Sequence, residues 1–244
     1  MNKTLIIAEA GNNHEGSALT AFELLNKAKD CGCDLVKFQA GIAEGFAREA
    51  KDYERYKKYE LKDEGYQQIL EEGYKIGMPV FFSVWSDWKD ETENWLEKYR
   101  RLEWFKIASR QMFDQRNYKY ITEKTIISIP HNEVLNYDTI DKIKKGILLH
   151  CVSEYPAIKP MFNRLEDIKE HYDIDLGFSD HSIGIETAFE AVVKHGCRVI
   201  EKHFTLDHNT EGLRDHRLSA NPREMSTLVE AVRIYDQERL KNGS

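Results

Sequence analysis

Short β-rich apolar runs recur along this chain, and segments with helical periodicity separate them. The runs are TLIIAEA, DLVKFQA, PVFFSVW, WFKIAS, TIISIP, GILLHCV, DLGFSD and RVIEKHF, and their length and composition predict eight strands. Between them, ALTAFELLNKAKDCG, DEGYQQILEEGYKIG, KDETENWLEKYRR and GIETAFEAVVKHG read as helices, and NPREMSTLVEAVRIYDQERL follows the last strand as another. Several of these end in glycine just ahead of the next strand, the usual C-cap device. Pro222 and Glu224 suit the first turn of the last helix. The connections NYKYITEK and YDTIDKIKK are shorter and carry less signal, and DYERYKKYE reads as a long loop covering the barrel mouth or a partner-facing surface. Strand alternating with helix eight times predicts an α/β fold, a closed (β/α)8 TIM barrel, as one domain over residues 1–244. A doubly wound open sheet is the competing architecture, but it more often opens on a Gly-rich turn, and EAGNNHEG is not G-x-G-x-x-G.

Barrels of this kind place their active sites at the carboxyl ends of the strands and in the loops that follow. Those places hold Glu9, Asn12, Asn13, His14 and Glu15 after the first strand, and Lys37 and Gln39 on the second. The third, fourth and fifth supply Ser83, Trp85, Lys106, Ser109, Gln111 and His131. From the last three come His150, Ser153, Tyr155, Ser179, Asp180, His181, Glu201 and His203. Alternate residues of a strand face opposite sides. Lys37 therefore shares a face with Gln39, Ser179 with Gly177 and His181, and Glu201 with His203, while Lys202 points the other way and falls outside the pocket. A barrel interior that takes Lys, Gln, Ser, Glu and His needs a polar ligand, because an unpaired buried charge is very costly.

Composition narrows the partners. Of the 244 residues, 41% are hydrophobic and 32% charged, which is ordinary for a globular protein with a sizeable core. The net charge of −7 argues against a general nucleic-acid binder, though a small phosphorylated substrate held by a few local lysines is compatible with it. No apolar run approaches a membrane span, and MNKTLIIAEAGNNHEG is too short and polar for a signal peptide. Cys31 and Cys33 have no second pair to complete a zinc knot, and Cys151 and Cys197, in apolar surroundings, read as small core residues. The expectation is a reduced, cytoplasmic protein.

Each candidate has a plainer reading. His195, His208 and His216 fit structural or surface roles. His181 and His203 sit on adjacent strands about 4.8 Å apart, on the inward face, where two imidazoles can share a divalent metal. Spacing alone leaves both readings open. It also leaves Lys37 and Lys106 open between buried salt bridges and a clamp for phosphate or carboxylate.

Seven motifs then occur in a familiar order: IIAEAGNNHEG, DLVKFQ, FKIAS, LLHCVSEYP, GFSDHSIGIE, EKHFTLD and DHRLSANP. With them the chain resembles the sialic acid synthase family, the N-acetylneuraminate synthases and their relatives for legionaminic, pseudaminic and other nonulosonic acids. The resemblance implies a (β/α)8 barrel that condenses phosphoenolpyruvate with an open-chain sugar aldehyde and releases phosphate, using manganese or a similar divalent ion such as magnesium or cobalt. It implies His181 and His203 as metal ligands. It also implies phosphoenolpyruvate held by Lys37, Lys106, Ser109 and Ser179 with Tyr155 near it, Glu15 as the acid/base group, and Gln39 and Asp215 at the sugar. Asp180 and Glu201 would assist by orienting the histidine rings. Small-molecule substrates and a homo-oligomer, such as a dimer, are the partners expected; nucleic acid and membrane are not.

Departures from the family pattern are Val84 where a threonine is usual at the phosphate site, and Gln111 where the synthases carry a glutamate near the sugar. Ser153 stands where asparagine or serine is found. Members continue into a small antifreeze-like domain that closes a partner's sugar pocket, whereas this chain stops at LKNGS. The expected pocket is therefore open, closed by another chain or by the GIAEGFAREAKDYERYKKYELK segment, or built for a different substrate. Two rival classes are a metal-dependent hydrolase or isomerase barrel, which would carry more ligands such as H-x-H on the first strand, and a non-catalytic sugar-acid or phosphate-binding homologue.

Overall fold

The computed structural model describes residues 3–47, 50–86, 94–132, 136–158 and 162–241. Eight parallel strands close in sequence order into a barrel: β1 Leu5–Gly11, β2 Leu35–Gly41, β3 Val80–Trp85, β4 Phe105–Ile107, β5 Thr125–Pro130, β6 Ile147–Cys151, β7 Leu176–Asp180 and β8 Val199–His203. All eight predicted strands are present. The pairing of β1 with β8, with Ile7 opposite Glu201 and Glu9 opposite His203, closes the ring.

The helical layer is less regular than the prediction. Helices α1 Ala18–Asp30, α2 Ala43–Phe46, α3 Ala50–Tyr59, α4 Asp63–Ile76, α5 Asn94–Glu97, α6 Tyr137–Ile143, α7 Asn163–His171, α8 Glu186–Val193 and α9 Pro222–Lys241 are described. Between β4 and β5 only 3-10 turns occur, at Ser109–Gln111 and Gln115–Tyr120, so that crossover lacks its helix. The segment expected as a helix at 89–101 is described only from Asn94, as α5 and the 3-10 turn Lys98–Arg101; residues 89–93 lie outside the described residues. DYERYKKYE, expected as a loop, is α3. Helix α7 escapes the pattern because its burial rests on two residues, Leu165 and Ile168. Its other positions are polar.

Local chemistry explains the boundaries that were legible. Ser17 caps α1 by accepting from the Thr20 N–H, and Asn136 caps α6 by accepting from the Thr139 N–H. Helix α4 ends at Gly77, whose φ of 70° only glycine takes without penalty. Asn221 and Glu224 bond each other's backbone N–H reciprocally ahead of α9. That helix is tied back to the barrel floor by Asp236, which accepts from the Thr4 N–H at 2.7 Å and the Thr4 hydroxyl at 2.9 Å. Among the described residues, no helix is long and apolar enough to cross a membrane.

The barrel interior is layered. At the amino end of the strands, Ile7, Leu35, Phe81, Ile126, Ile147, Leu149 and Val199 form an apolar plug. Two residues further along, on the same faces, stand Glu9, Lys37, Ser83, Ser128, Cys151 and Glu201, with Lys106 and Ser179 beside them. The plug excludes water from below, so the polar layer above it opens only toward the carboxyl ends. Gly177 lets the wall close here: a Cβ there would lie 2.3 Å from both the Val199 carbonyl oxygen and Leu149 Cδ2. The outward faces carry the main core against the helices, with Ile6, Ala8, Val36, Phe38, Phe82 and Ile200 fully buried.

Candidate active site

A cleft opens at the carboxyl ends of the strands. Eight of the predicted site residues line it together: Lys37, Gln39, Lys106, Ser109, Tyr155, Ser179, His181 and His203. Glu9, Ser83, Trp85, Ser128, Cys151 and Glu201 complete much of the wall. Of these, Ser128 and Cys151 were not anticipated as site residues, although counting alternate positions back along their strands places both inward. Cys151 is thus a cleft residue and not merely core.

Four predicted residues stand outside the lining. Glu15 sits in the loop after β1 with φ 50°, and Asp215 in the 3-10 turn Arg214–Leu218. Ser153 meets the wall through Ser109, its hydroxyl 3.1 Å away, and through Cys151, whose Sγ lies 3.9 Å from the Ser153 hydroxyl oxygen. Gln111 spends its amide on the Val84 carbonyl at 2.7 Å. His131 and His150, read as mouth residues, also lie off the cleft. His150 is on the outward face of β6, stacked on Phe178 with ring centroids 6.0 Å apart. Val84 likewise belongs to the outward core, so its departure removes no hydroxyl from the cleft.

The lysines are salt-bridged, which settles one of the two open alternatives of geometry. Lys37 Nζ lies 2.7 Å from Glu9 and 3.9 Å from Glu201, and Lys106 Nζ lies 2.8 Å from Glu201. Ser179 donates to Glu201 at 3.0 Å, and Gln39 donates to Glu9 at 3.2 Å while accepting from Asn12 at 3.0 Å. Burial pushes the Glu201 carboxyl up, but Lys106 and Lys37 overcome this and hold it at about 2. Glu9 has less support: burial raises it above the usual carboxylate range, and Lys37 offsets only part. Burial pulls Lys106 down, with Glu201 opposing, whereas for Lys37 the two glutamates outweigh burial and raise it. Two ammonium and two carboxylate groups balance. Each ammonium has three N–H donors, so both lysines keep donors for an incoming anion.

His181 and His203 face one another across the same wall, ring centroids 5.2 Å apart. His181 Nδ1 is 2.7 Å from the Val152 carbonyl oxygen, an acceptor, so this nitrogen carries hydrogen and Nε2 is left toward the cleft, 3.2 Å from the Tyr155 hydroxyl. The ring is oriented by backbone, not by Asp180 or Glu201. Asp180 pairs with Lys202 at 3.1 Å behind the wall, and Glu201 is engaged by Lys106 and Ser179. His195 stacks on Phe162 and His208 contacts Glu224, as the plainer reading of both expected.

The profile of the NeuB family matches residues 24–242. An uncharacterized protein of Methanocaldococcus jannaschii is 35% identical over 96% of this chain and 71% of its own length. The N,N'-diacetyllegionaminic acid synthase of Campylobacter jejuni is 32% identical over 96% of this chain and 76% of its own. Among solved structures, the N-acetylneuraminic acid (sialic acid) synthetase of Leptospira borgpetersenii, in complex with citrate, superposes with a TM-score of 0.84 at 29% identity. That match covers 96% of this chain and 84% of the other. With the family profile matched over residues 24–242 and relatives 35% and 32% identical along nearly its whole length, the chain belongs to the NeuB family.

Proposed function

We propose that this enzyme condenses phosphoenolpyruvate with an open-chain sugar aldehyde, releasing phosphate and forming a 3-deoxy-2-keto sugar acid of the nonulosonic type for surface polysaccharide. The observation that carries this reading is the polar layer itself: two lysines and several hydroxyls over an apolar plug, directly beneath two inward histidines. Two of the relatives named above are an N,N'-diacetyllegionaminic acid synthase and an N-acetylneuraminic acid synthetase.

Lys37 and Lys106, with Ser109 and Ser179, would hold the phosphate and carboxylate and aim C3 of the enol at the aldehyde, an orientation effect reinforced by fixed charge. Their glutamate partners fix where the ammonium groups stand before the substrate arrives. Water then adds at C2, and the tetrahedral intermediate collapses with loss of phosphate. That water supplies two hydrogens, one ending on the new hydroxyl and one on the released hydrogen phosphate. Glu15 is the group assigned to handle the proton, with Gln39 and Asp215 assigned to the sugar.

A divalent ion, manganese or else magnesium or cobalt, would be held by His181 and His203. The donor set fits: His181 Nε2 is directed to the cleft, and His203 shares that wall. Two protein ligands leave coordination positions open, as a catalytic site requires. Such an ion supplies a Lewis acid for the aldehyde oxygen. The hydrolase or isomerase alternative calls for more ligands, and among the described residues no group of three or more His, Cys, Asp or Glu side chains is arranged to hold a metal ion. The deciding experiment is phosphate release from phosphoenolpyruvate across a panel of aldoses and N-acetylhexosamines. Release with one class of aldehyde supports the reading; none with any aldehyde, with divalent ion supplied, rejects it.

A further inference from the structure

Glu15 is held in a left-handed backbone conformation, φ 50°, which is uncommon for a residue with a side chain. Its own turn fixes it there. The Glu15 N–H donates to the Asn12 carbonyl at 2.9 Å, and the Gly16 N–H donates to His14 Nδ1 at 3.0 Å. Strain of this kind persists only where the surroundings over-determine it. It aims the carboxylate at His216, whose Nε2 lies 3.7 Å from Glu15 Oε1 in a residue only 2% exposed. That separation is an ionic approach and not yet a hydrogen bond; catalytic contacts of this length often tighten when substrate binds.

The far side of the ring is anchored. His216 Nδ1 lies 2.7 Å from the Thr205 hydroxyl, which donates to the Asp207 carbonyl at 3.1 Å and accepts from the Asp207 N–H at 3.3 Å. With the Thr205 hydrogen directed to that carbonyl, Nδ1 carries the ring hydrogen and donates to Thr205. Nε2 is then left facing Glu15, and a hydrogen bond between them needs a proton on the ring or on the carboxyl. Nε2 has no hydrogen-bond partner among the described residues.

We propose that His216 is a positioning residue for Glu15, its Nε2 facing Oε1 and its ring anchored behind by Thr205, so that the pair closes to a hydrogen bond when either group takes up a proton. Sequence alone gave His216 a structural role; its position gives it a functional one. The inference rests on the proposed condensation only for what Glu15 then does, accepting and returning one proton per turnover with no net change. The charged groups that act most strongly on His216 are acidic: Glu15 from the loop after β1, Asp215 on its own turn, and Asp207 from the loop after β8. Burial pushes the imidazole below its ordinary range, with Glu15 the largest opposing influence. The Tyr59 hydroxyl, at the end of α3, and Glu15 Oε1 both lie close to Gly212, where a Cβ would meet them at 2.4 and 2.7 Å.

Two measurements test the pairing. In the substrate-free protein, the histidine ring titrations followed by NMR should show the His216 midpoint falling in Glu15→Gln, because the carboxylate that favours its charged form is gone. An unchanged midpoint overturns the pairing. In turnover, His216→Ala should lower kcat about ten- to a hundredfold, the scale of a misplaced catalytic group, with the KM for phosphoenolpyruvate little changed. His216→Gln, which keeps an N–H near Nε2, should recover most of the loss. No loss in His216→Ala, or equal losses in both variants, overturns the proposal. Should the wild-type protein release no phosphate with any aldehyde, the condensation reading fails, and the NMR titration still decides the pairing.

Discussion

Glu201 and Lys202 are consecutive, both buried and both ion-paired, yet they belong to opposite sides of the barrel wall. The same holds one strand earlier, where Ser179 faces in and Asp180 faces out. On the outer side, Lys202 and Asp180 are each 0% exposed and form a closed unit. Lys202 pairs with Asp180 and donates to the Ser182 carbonyl at 2.5 Å, while Asp180 accepts from the Ser182 N–H at 2.8 Å. On the inner side, Glu9, Lys37, Glu201 and Lys106 form an open unit that borders a cleft. Burial and charge are alike in the two. What differs is whether unspent hydrogen-bonding capacity meets packed side chains or space for a ligand. Burial of an ion pair is therefore a poor guide to function, and parity at the strand end is the better one.

The largest effect should come from the two residues that stand one layer above the inner unit. Removal of divalent ions, or His181→Ala or His203→Ala, should cut condensation by roughly a thousandfold or more, the scale of lost Lewis-acid stabilisation. The melting temperature should stay near that of the wild type, because an open site closes no structural knot. Manganese should restore the chelated protein. Full activity in rigorously metal-free enzyme, or unfolding on chelation, would sink this assignment.

The two units can be separated directly. Lys202→Met leaves Asp180 buried without its partner and should cost about 3–5 kcal/mol of stability, with the phosphoenolpyruvate isotherm unchanged. Lys37→Ala or Lys106→Ala should weaken phosphoenolpyruvate binding by roughly ten- to a hundredfold, the worth of one charge-assisted contact. If Lys202→Met shifted the isotherm as far as Lys37→Ala, the distinction between inner and outer pairs would be lost.

This division was already legible where period-two alternation is strict. The placement of Lys37, Gln39, Ser179, Glu201 and His203 inward and Lys202 outward follows from counting along single strands, and all six stand where counting puts them. The method fails where the strand has ended. Gln111, Ser153 and Asp215 lie in turns whose direction is set by tertiary bonds, such as that from Gln111 to the Val84 carbonyl. It was also not applied strictly to His150, placed at the mouth for its position near a strand end although Cys151 has the inward parity. The pairing of Glu9 with Lys37 needs the register of β1 on β2, in which those two residues are opposite one another. No single segment carries that information. Helix α3 was hidden for a different reason: its one repeating face is made of tyrosines, Tyr53, Tyr56 and Tyr59, among charged residues, with no large aliphatic residue to mark it as apolar.

A smaller and pH-dependent effect belongs to Glu201. Its carboxyl is held at about 2 in the folded chain, below the roughly 4.3 of an unfolded glutamate. The stability it contributes is thus complete above that unfolded value and is lost as pH falls toward 2. Glu201→Gln should cost about 3 kcal/mol at neutral pH by leaving Lys106 unpaired. The gap from the wild type should then close in denaturant titrations run from pH 5 down to pH 2. A gap independent of pH would mean that the carboxylate charge is not what Lys106 needs.

The smallest expected effect is the sharpest check on the wall at β3. Family resemblance places a threonine where this chain has Val84, which reads as a missing donor at the phosphate. The structure puts Val84 in the outward core at 1% exposure, between the inward residues Ser83 and Trp85. Its carbonyl accepts from Gln111, and a side-chain change leaves that group in place. Val84→Thr should therefore leave the KM for phosphoenolpyruvate within about a factor of two, a change of under 1 kcal/mol. It should instead cost about 1–3 kcal/mol of stability for a hydroxyl buried among apolar neighbours. Ser83→Ala is the matched inward change: its hydroxyl accepts from the Trp85 indole at 3.1 Å and borders the cleft. That variant should raise the same KM several-fold, in line with one neutral hydrogen bond of about 1 kcal/mol. Were Val84→Thr to tighten phosphoenolpyruvate tenfold while Ser83→Ala did nothing, the two faces of β3 would have to be exchanged at its end, and the parity argument would fail on the strand where it predicts the least.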